Sequence, residues 1–257
     1  MFKKKKDLNG FNKPEDLRYV RCLRNIHQAN LFDWYMEIGC RNGRSFEPVR
    51  GKTIAVDPFF KITTNVIGQK PALMCFQQTS DAFFESNVLD ALNAKLSFSF
   101  LDGMHLMEFL LRDFINAERN SHAGGVIAMH DCCPFDYEMT TRNVDDAPAS
   151  AWTGDVWKLI PILQKYRPDL DVKVVGCRPT GLVLISNLSP DSRLLSDHYD
   201  EILTDWQDLT LQEYSADTFY NSFEYTPAKE IAADNYAFFK NARMQDAEHK
   251  LPEFVSP

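Results

Sequence analysis

Two short stretches of this 257-residue chain carry side chains that can move a proton or share an ion. One is Asp102-Gly103-Met104-His105; the other is His130-Asp131. Each follows a run suited to a buried strand, 95–101 and 124–129. These two strands are the fourth and fifth in sequence and are expected to be neighbours. Neighbouring strands lie about 4.8 Å apart, so side chains reaching inward from their ends can share one ion or one proton. Two carboxylates that close repel unless a cation or proton lies between them. His105 is a candidate base, because an imidazole that is neutral near pH 7 can accept a hydroxyl proton. It reads equally well as a first-turn residue of the following helix. His130 is a second candidate base, or a residue that bonds Asp102 and only shapes the site.

A third polar group follows the strand at 32–38, in the pattern Glu37-x-Gly39-x-x-x-Gly43-x-Ser45. Glycine lets backbone approach a ligand closely, and loops at the C-terminal edge of open α/β sheets bind nucleotides. The pattern is not the dinucleotide fingerprint G-x-G-x-x-G. On its own it reads as a cofactor loop or as a plain turn. Asp57 ends the next β-rich run, 52–57, twenty positions after Glu37. That interval suits an acid that accepts hydrogen bonds from ribose hydroxyls. The alternative is an Asp that starts a turn before Pro58.

These residues need a scaffold, and the pattern supplies one. Strands are predicted at 32–38, 52–57, 71–76, 95–101, 124–129, 172–175 and 180–185, the last two joined as a hairpin. Helices are predicted at 14–29, from Ala82 with Ser80 or Asp81 as cap, at 106–119, at 154–166 with a kink at Pro161, and at 196–206. The alternation implies an α/β fold: a mostly parallel seven-stranded sheet with one antiparallel edge strand and helices on both faces. Parallel strands put their C-terminal ends on one side, so Glu37, Asp57, Asp102 and Asp131 converge there. The polar stretch 134–153 is long for a compact domain and reads as a lid or binding loop.

The glycine loop resembles the first motif of class I S-adenosylmethionine (SAM) methyltransferases. Phe100-Leu101-Asp102-Gly103-Met104-His105, a helix with Asp113, then Gly124-Gly125-Val126-Ile127 and Asp131 resemble a narrower family. It includes macrolide-sugar O-methyltransferases and cephalosporin-hydroxylase-like proteins. Trp152-Thr153-Gly154-Asp155-Val156-Trp157-Lys158 and Thr180-Gly181-Leu182 resemble its C-terminal half, so the resemblance spans 34–188. It implies a Rossmann-like methyltransferase fold and SAM bound by Glu37, Gly39, Gly43, Ser45, Asp57, Asp102 and Ser80, whose turn faces the adenine. It also implies a divalent cation, Mg²⁺ or Mn²⁺, on Asp102 and Asp131. Where the family often has two successive carboxylates this chain has His130, a nitrogen donor that suits Mn²⁺, Fe²⁺ or Zn²⁺ at least as well as Mg²⁺. The expected activity is O-methylation of a small hydroxylated molecule of sugar or natural-product type. The alternatives are a SAM- or nucleotide-binding domain without turnover and, less favoured, a nicotinamide-dependent oxidoreductase.

Composition narrows the partners. A net charge of −8 argues against a general nucleic-acid binder. No run of about 18 apolar residues suggests a membrane span. Six cysteines without a C-x-x-C pair read as reduced thiols, which suits a cytoplasmic protein. Lys3 to Lys6 reads as a solvated tail. His27, His122, His198 and His249 read as structural. The expected organisation is an N-terminal tail and helix at 1–30, a SAM-binding domain at 31–188 and a mostly helical extension at 189–257. A small-molecule acceptor is expected, with self-association into a homo-oligomer left open.

Overall fold

The computed structural model describes residues 7, 9–149 and 151–244; the lysine run at 3–6 and His249 lie outside them. Among the described residues ten strands are formed: β1 (Asp16–Arg18), β2 (Trp34–Ile38), β3 (Lys52–Val56), β4 (Leu73–Phe76), β5 (Leu96–Leu101), β6 (Ser121–His130), β7 (Asp171–Val175), β8 (Cys177–Arg178), β9 (Leu182–Ser186) and β10 (Tyr225–Thr226). The helices are α1 (Tyr19–Ala29), α2 (Ser80–Glu85), α3 (Val88–Ala91), α4 (Met107–Asn120), α5 (Leu159–Tyr166), α6 (Leu194–Asp197), α7 (Tyr199–Trp206), α8 (Leu211–Tyr214), α9 (Ala216–Asn221) and α10 (Ala228–Ala233).

The main sheet has eight strands in the order β10-β7-β9-β6-β5-β2-β3-β4. β2 pairs in parallel with β3 on one side and β5 on the other. Strand order therefore reverses beside β2, which opens a crevice at the C-terminal ends of β2 and β5. This is an α/β, mainly parallel, Rossmann-like arrangement. Two details differ from the expectation. The antiparallel strand β9 lies inside the sheet, paired with both β6 and β7, as its buried Leu182 to Ile185 run allows. An eighth strand, β10, comes from the C-terminal extension and pairs with the outer edge of β7, which shields that edge.

Both faces of the sheet are covered. Trp34, Met36 and Ile38 of β2 point into one core, together with Leu110, Leu111 and Phe114 of α4 and Ile160 and Leu163 of α5. Tyr35 points into the other, with Leu23 and Ile26 of α1 and Ile231 of α10. Burial on both faces is why these strands read as nearly continuous apolar runs. The predicted helix at 14–29 starts only at Tyr19. Residues 16–18 pair with β8 instead, a tertiary contact that overrides helical periodicity. Pro161 lies in the first turn of α5, where its missing N–H has no intrahelical partner to lose. Among the described residues no helix is long and apolar enough to cross a membrane, and all six cysteines are free thiols.

Candidate active site

The glycine loop is shaped by its neighbours on the crevice. Gly39 has φ +85°, and a Cβ there would stand 1.9 Å from the carbonyl oxygen of Asp102. Only glycine lets the end of β2 pass this close to the end of β5. Gly43, at φ +81°, abuts Val66 in the same way. Glu37 is fully buried. Its two oxygens accept hydrogen bonds from the hydroxyls of Tyr35 and Ser45, each at 2.5 Å. Burial pushes its carboxyl up to about 8, against the pull of those two donors toward the charged form.

Asp57 ties the loop down. Its Oδ2 accepts the N–H of Arg41 at 2.7 Å and its Oδ1 that of Phe59 at 2.6 Å. The turn reading of Asp57 is therefore realised. Each carboxylate oxygen offers two acceptor positions, so capacity for ribose hydroxyls remains. Ser80 is the first residue of α2, and the cap is Thr79, whose hydroxyl accepts the N–H of Ala82 at 3.3 Å. The expected cap at Ser80 or Asp81 is thus displaced by one residue. Asp113 of α4 is pushed up to about 7 by burial, an effect that Ser80 moderates.

Across the crevice the four remaining candidates meet. Nε2 of His105 lies 3.1 Å from Oδ2 of Asp131 and 3.6 Å from Oδ1 of Asp102. Nδ1 of His130 lies 3.2 Å from Oδ1 of Asp102 and 3.3 Å from Oδ2 of Asp131. The backbone turns sharply here, with Asp131 at φ +59°, a left-handed conformation that costs a non-glycine residue of order 1–3 kcal/mol and clusters at functional sites. Asp102, His105 and Asp131 each offer one donor atom within 4.8 Å of the others. The ligand-competent group thus contains His105, where the sequence suggested His130. The ring of His130 is buried beneath Tyr19 instead, with ring centroids 3.7 Å apart.

The protons follow from the partners. Nδ1 of His105 is 2.8 Å from the carbonyl oxygen of Trp152, which can only accept, so Nδ1 bears hydrogen and Nε2 faces the carboxylates. Burial alone would lower the pKa of His105. The hydrogen bond to Asp102 and the charge of Asp131 outweigh it and hold the ring protonated up to about 9. His130 behaves alike: burial works against its charge, but Asp131 and Asp102 raise it to about 10. Neither imidazole is the neutral base at pH 7 that the sequence suggested. Asp131 is held ionised well below the usual range: burial opposes the charge, and His130 overcomes that.

Three contributors escaped the sequence. Tyr19 reaches in from α1; burial first, then the charges of Asp102, Asp131 and Glu37, push its hydroxyl far above the ordinary value. Thr180 donates a hydrogen bond to Oδ1 of Asp131 and lies 3.4 Å from Nε2 of His130. Trp152 fixes His105. Its segment is locked by Arg142, which bonds both oxygens of Glu108 (2.7 and 3.1 Å) and also Asp155. Asp155 in turn accepts Lys158 Nζ at 2.7 Å and the N–H of Met107 at 2.7 Å. Gly154 has φ +51°, and a Cβ there would stand 1.7 Å from the carbonyl oxygen of His105. The described residues of this stretch, 134–149 and 151–153, are therefore docked on His105 through Trp152 and the Arg142 ion pairs. Trp152 and Thr180 stood within the motifs of the resemblance, but nothing in their spacing assigned them a partner. The other described histidines serve the fold. His27 lies in an aromatic cluster; His122 accepts the N–H of Gly124; His198 bonds the carbonyl of Leu194.

No family model and no curated protein matches the chain. Solved structures with related folds exist at low identity. MycE methyltransferase from the mycinamycin biosynthetic pathway, in complex with Mg and SAH, is 13% identical over 68% of this chain and 48% of its own, with a TM-score of 0.45. This chain thus spans about half of MycE. The O-methyltransferase TomG from Streptomyces achromogenes, in complex with SAM, is 13% identical over 66% of this chain and 80% of its own, with a TM-score of 0.47. An O-methyltransferase from Bacillus cereus in complex with SAH is 13% identical over 65% of this chain and 79% of its own, with a TM-score of 0.44.

Proposed function

We propose that the chain binds SAM in the crevice between β2 and β5 and transfers its methyl group to a hydroxyl oxygen of a small molecule. The observation that carries this is that Glu37, Asp102 and Asp131 stand at or just past the C-terminal ends of the neighbouring strands β2, β5 and β6 beside the strand-order reversal, with Gly39 against the backbone of Asp102. Glu37, buried and held by two neutral hydroxyls, suits a ligand with an ammonium and a sulfonium better than the pyrophosphate of a nicotinamide dinucleotide. Glu37, pushed up to about 8 by burial, gains its charge back when a cation binds beside it. Gly39, Gly43 and Ser45 shape the wall for the methionine end, and Asp57 faces the ribose. SAM supplies a methyl group on a positively charged sulfur. The chain's residues hold the acceptor oxygen in line with it, and most of the acceleration comes from that positioning.

The donors also fit a divalent cation. Asp102, Asp131 and Nε2 of His105 would hold it; when bound it would ease loss of the acceptor's hydroxyl proton. Two oxygens and one nitrogen suit Mn²⁺, Fe²⁺ or Zn²⁺ as well as Mg²⁺. His130, enclosed by Tyr19 and Thr180, holds the two carboxylates in place. The second reading is a SAM-binding domain without turnover, favoured by the protonation of both imidazoles at pH 7.

The test incubates the protein with methyl-labelled SAM and a panel of sugars and phenols, with Mg²⁺, Mn²⁺ or EDTA. Label transferred to a hydroxyl oxygen supports the proposal. Loss of transfer in EDTA and in Asp131→Asn supports the metal. SAM binding with no transfer to any acceptor supports the second reading.

A further inference from the structure

The loop after β3, residues 58–70, turns apolar side chains outward. Seven large apolar residues are exposed among the described ones, and three of them are here: Phe59 at 75%, Ile67 at 64% and Ile62 at 37%. Single exposed apolar residues are ordinary, but three on one short loop mark an interaction site. The rest of the loop is held down. Phe60 packs against the core on the α1 side of the sheet, and Val66 is buried against Gly43. The N–H of Lys61 donates to the carbonyl of Arg41 at 2.6 Å, and Nζ of Lys70 donates to the carbonyl of Glu47 at 3.1 Å. The two most exposed tips have their own N–H groups accepted within the chain. Oδ1 of Asp57 takes that of Phe59 at 2.6 Å, and Oδ1 of Asn65 takes that of Ile67 at 3.1 Å. A segment that leaves water must keep such groups paired.

Three cations accompany these tips. Lys61 lies in the loop, and Arg41 and Arg44 lie on the glycine loop against which it is docked. All three residues are exposed, and none forms an ion pair among the described residues. No Asp or Glu occurs from 58 to 80. The acids nearby are already engaged: Glu47 pairs with Arg24 at 2.9 Å, and Asp57 is buried and holds two backbone N–H groups. On a chain of net charge −8 this is a local positive surface with apolar tips.

We propose that the 58–70 loop, together with Arg41 and Arg44, docks the chain on an anionic lipid bilayer, with Phe59, Ile62 and Ile67 entering the boundary between headgroups and acyl chains. Apolar side chains flanked by Lys and Arg bind such a surface through buried apolar area plus attraction to anionic headgroups. A protein partner matches the surface less well. Stable protein interfaces bury about 800 Å² per partner over complementary shapes, whereas three separate tips entering a bilayer need no shaped pocket. The docked chain keeps its cofactor crevice beside the bilayer, because Phe59 is two residues beyond Asp57 and Arg41 two beyond Gly39. The inference stands apart from the SAM reading, since its readout is lipid binding alone.

The test sediments the full chain with vesicles of phosphatidylcholine alone, or with about 30% phosphatidylserine, in about 0.1 M salt. Binding to the phosphatidylserine vesicles is expected to be roughly tenfold or more tighter, and to weaken as salt rises toward about 1 M. Phe59→Ser combined with Ile67→Ser should weaken it by roughly tenfold or more. Lys61→Glu combined with Arg44→Glu should abolish the preference for phosphatidylserine. All four positions are exposed, so unchanged urea midpoints are expected and separate lost docking from lost fold. No sedimentation with either vesicle overturns the proposal, as does a Phe59→Ser, Ile67→Ser chain that binds like wild type. Concentration-dependent dimers in light scattering, abolished by that same pair of substitutions and unaccompanied by vesicle binding, overturn it in favour of a second copy of the chain.

Discussion

On the β2–β3 side of the crevice, buried carboxylates meet neutral donors. Glu37 is held by two hydroxyls and Asp57 by two backbone N–H groups. The cation that acts on Glu37, Lys70, directs its ammonium to the carbonyl of Glu47 at 3.1 Å. On the β5–β6 side, Asp102 and Asp131 meet two imidazoles within 3.1 to 3.6 Å. One side lacks a close positive charge; the other is balanced by its own side chains. A cationic ligand therefore gains most on the Glu37 side, while the Asp102–Asp131 side is poised to exchange its protons for a metal ion or to hold an acceptor.

The two sides touch at Gly39, so the largest effect is expected there. Gly39→Ala combines a left-handed backbone with a collision against Asp102 and should destabilise the fold by about 3–5 kcal/mol, read from urea unfolding. A stability within 1 kcal/mol of wild type would mean that the sides are not in contact.

Histidines sharpen the comparison. His105 and His130 sit beside carboxylates, whereas His27 is buried among rings with its Nε2 unpartnered. Burial, and to a lesser degree Lys70 and Arg50, lower its pKa from 6.5 to about 3. Between those values the unfolded chain binds a proton that the folded chain refuses. Its contribution is therefore present above pH 6.5 and is lost as pH falls toward 3, by up to about 1.4 kcal/mol per pH unit. His27→Phe should flatten the acid limb of the stability curve, recovering about 3 kcal/mol by pH 4. Parallel limbs for the two proteins would contradict the assignment.

Next comes the roof over His105. Arg142→Ala leaves Glu108 and the nearly buried Asp155 with fewer charged partners and should cost about 2–3 kcal/mol. Limited proteolysis should then cut within 141–153, close to Trp152. A protease-resistant variant would mean that the stretch is held by something else.

Much of the fold was legible because β2, β3, β5 and β6 are buried on both faces, so each writes an apolar run that stops at a polar residue. The placement of the candidate residues Glu37, Asp57, Asp102 and Asp131 at one sheet edge was legible for the same reason: each stands at or just past the end of such a run. β1, β8 and β10 are two or three residues long and exist only through pairing, which leaves no period in the sequence. The exchange of His105 for His130 in the ligand-competent group depends on the turn at Asp131 and on the stacking of Tyr19. Neither can be read from spacing along the chain. Tyr19, Trp152 and Thr180 come from elements distant in sequence, and their roles are purely tertiary.

The most direct measurement is calorimetric titration of the wild-type chain and Asp57→Ala with S-adenosylhomocysteine, beside NADH as control. Expected is one molecule of S-adenosylhomocysteine per chain, no binding of NADH, and an affinity loss of roughly 1–3 kcal/mol in Asp57→Ala, from unpaired ribose hydroxyls and a loosened Arg41 turn. Binding of NADH in place of S-adenosylhomocysteine, or an unchanged affinity in Asp57→Ala, would contradict the placement of SAM in the β2–β5 crevice.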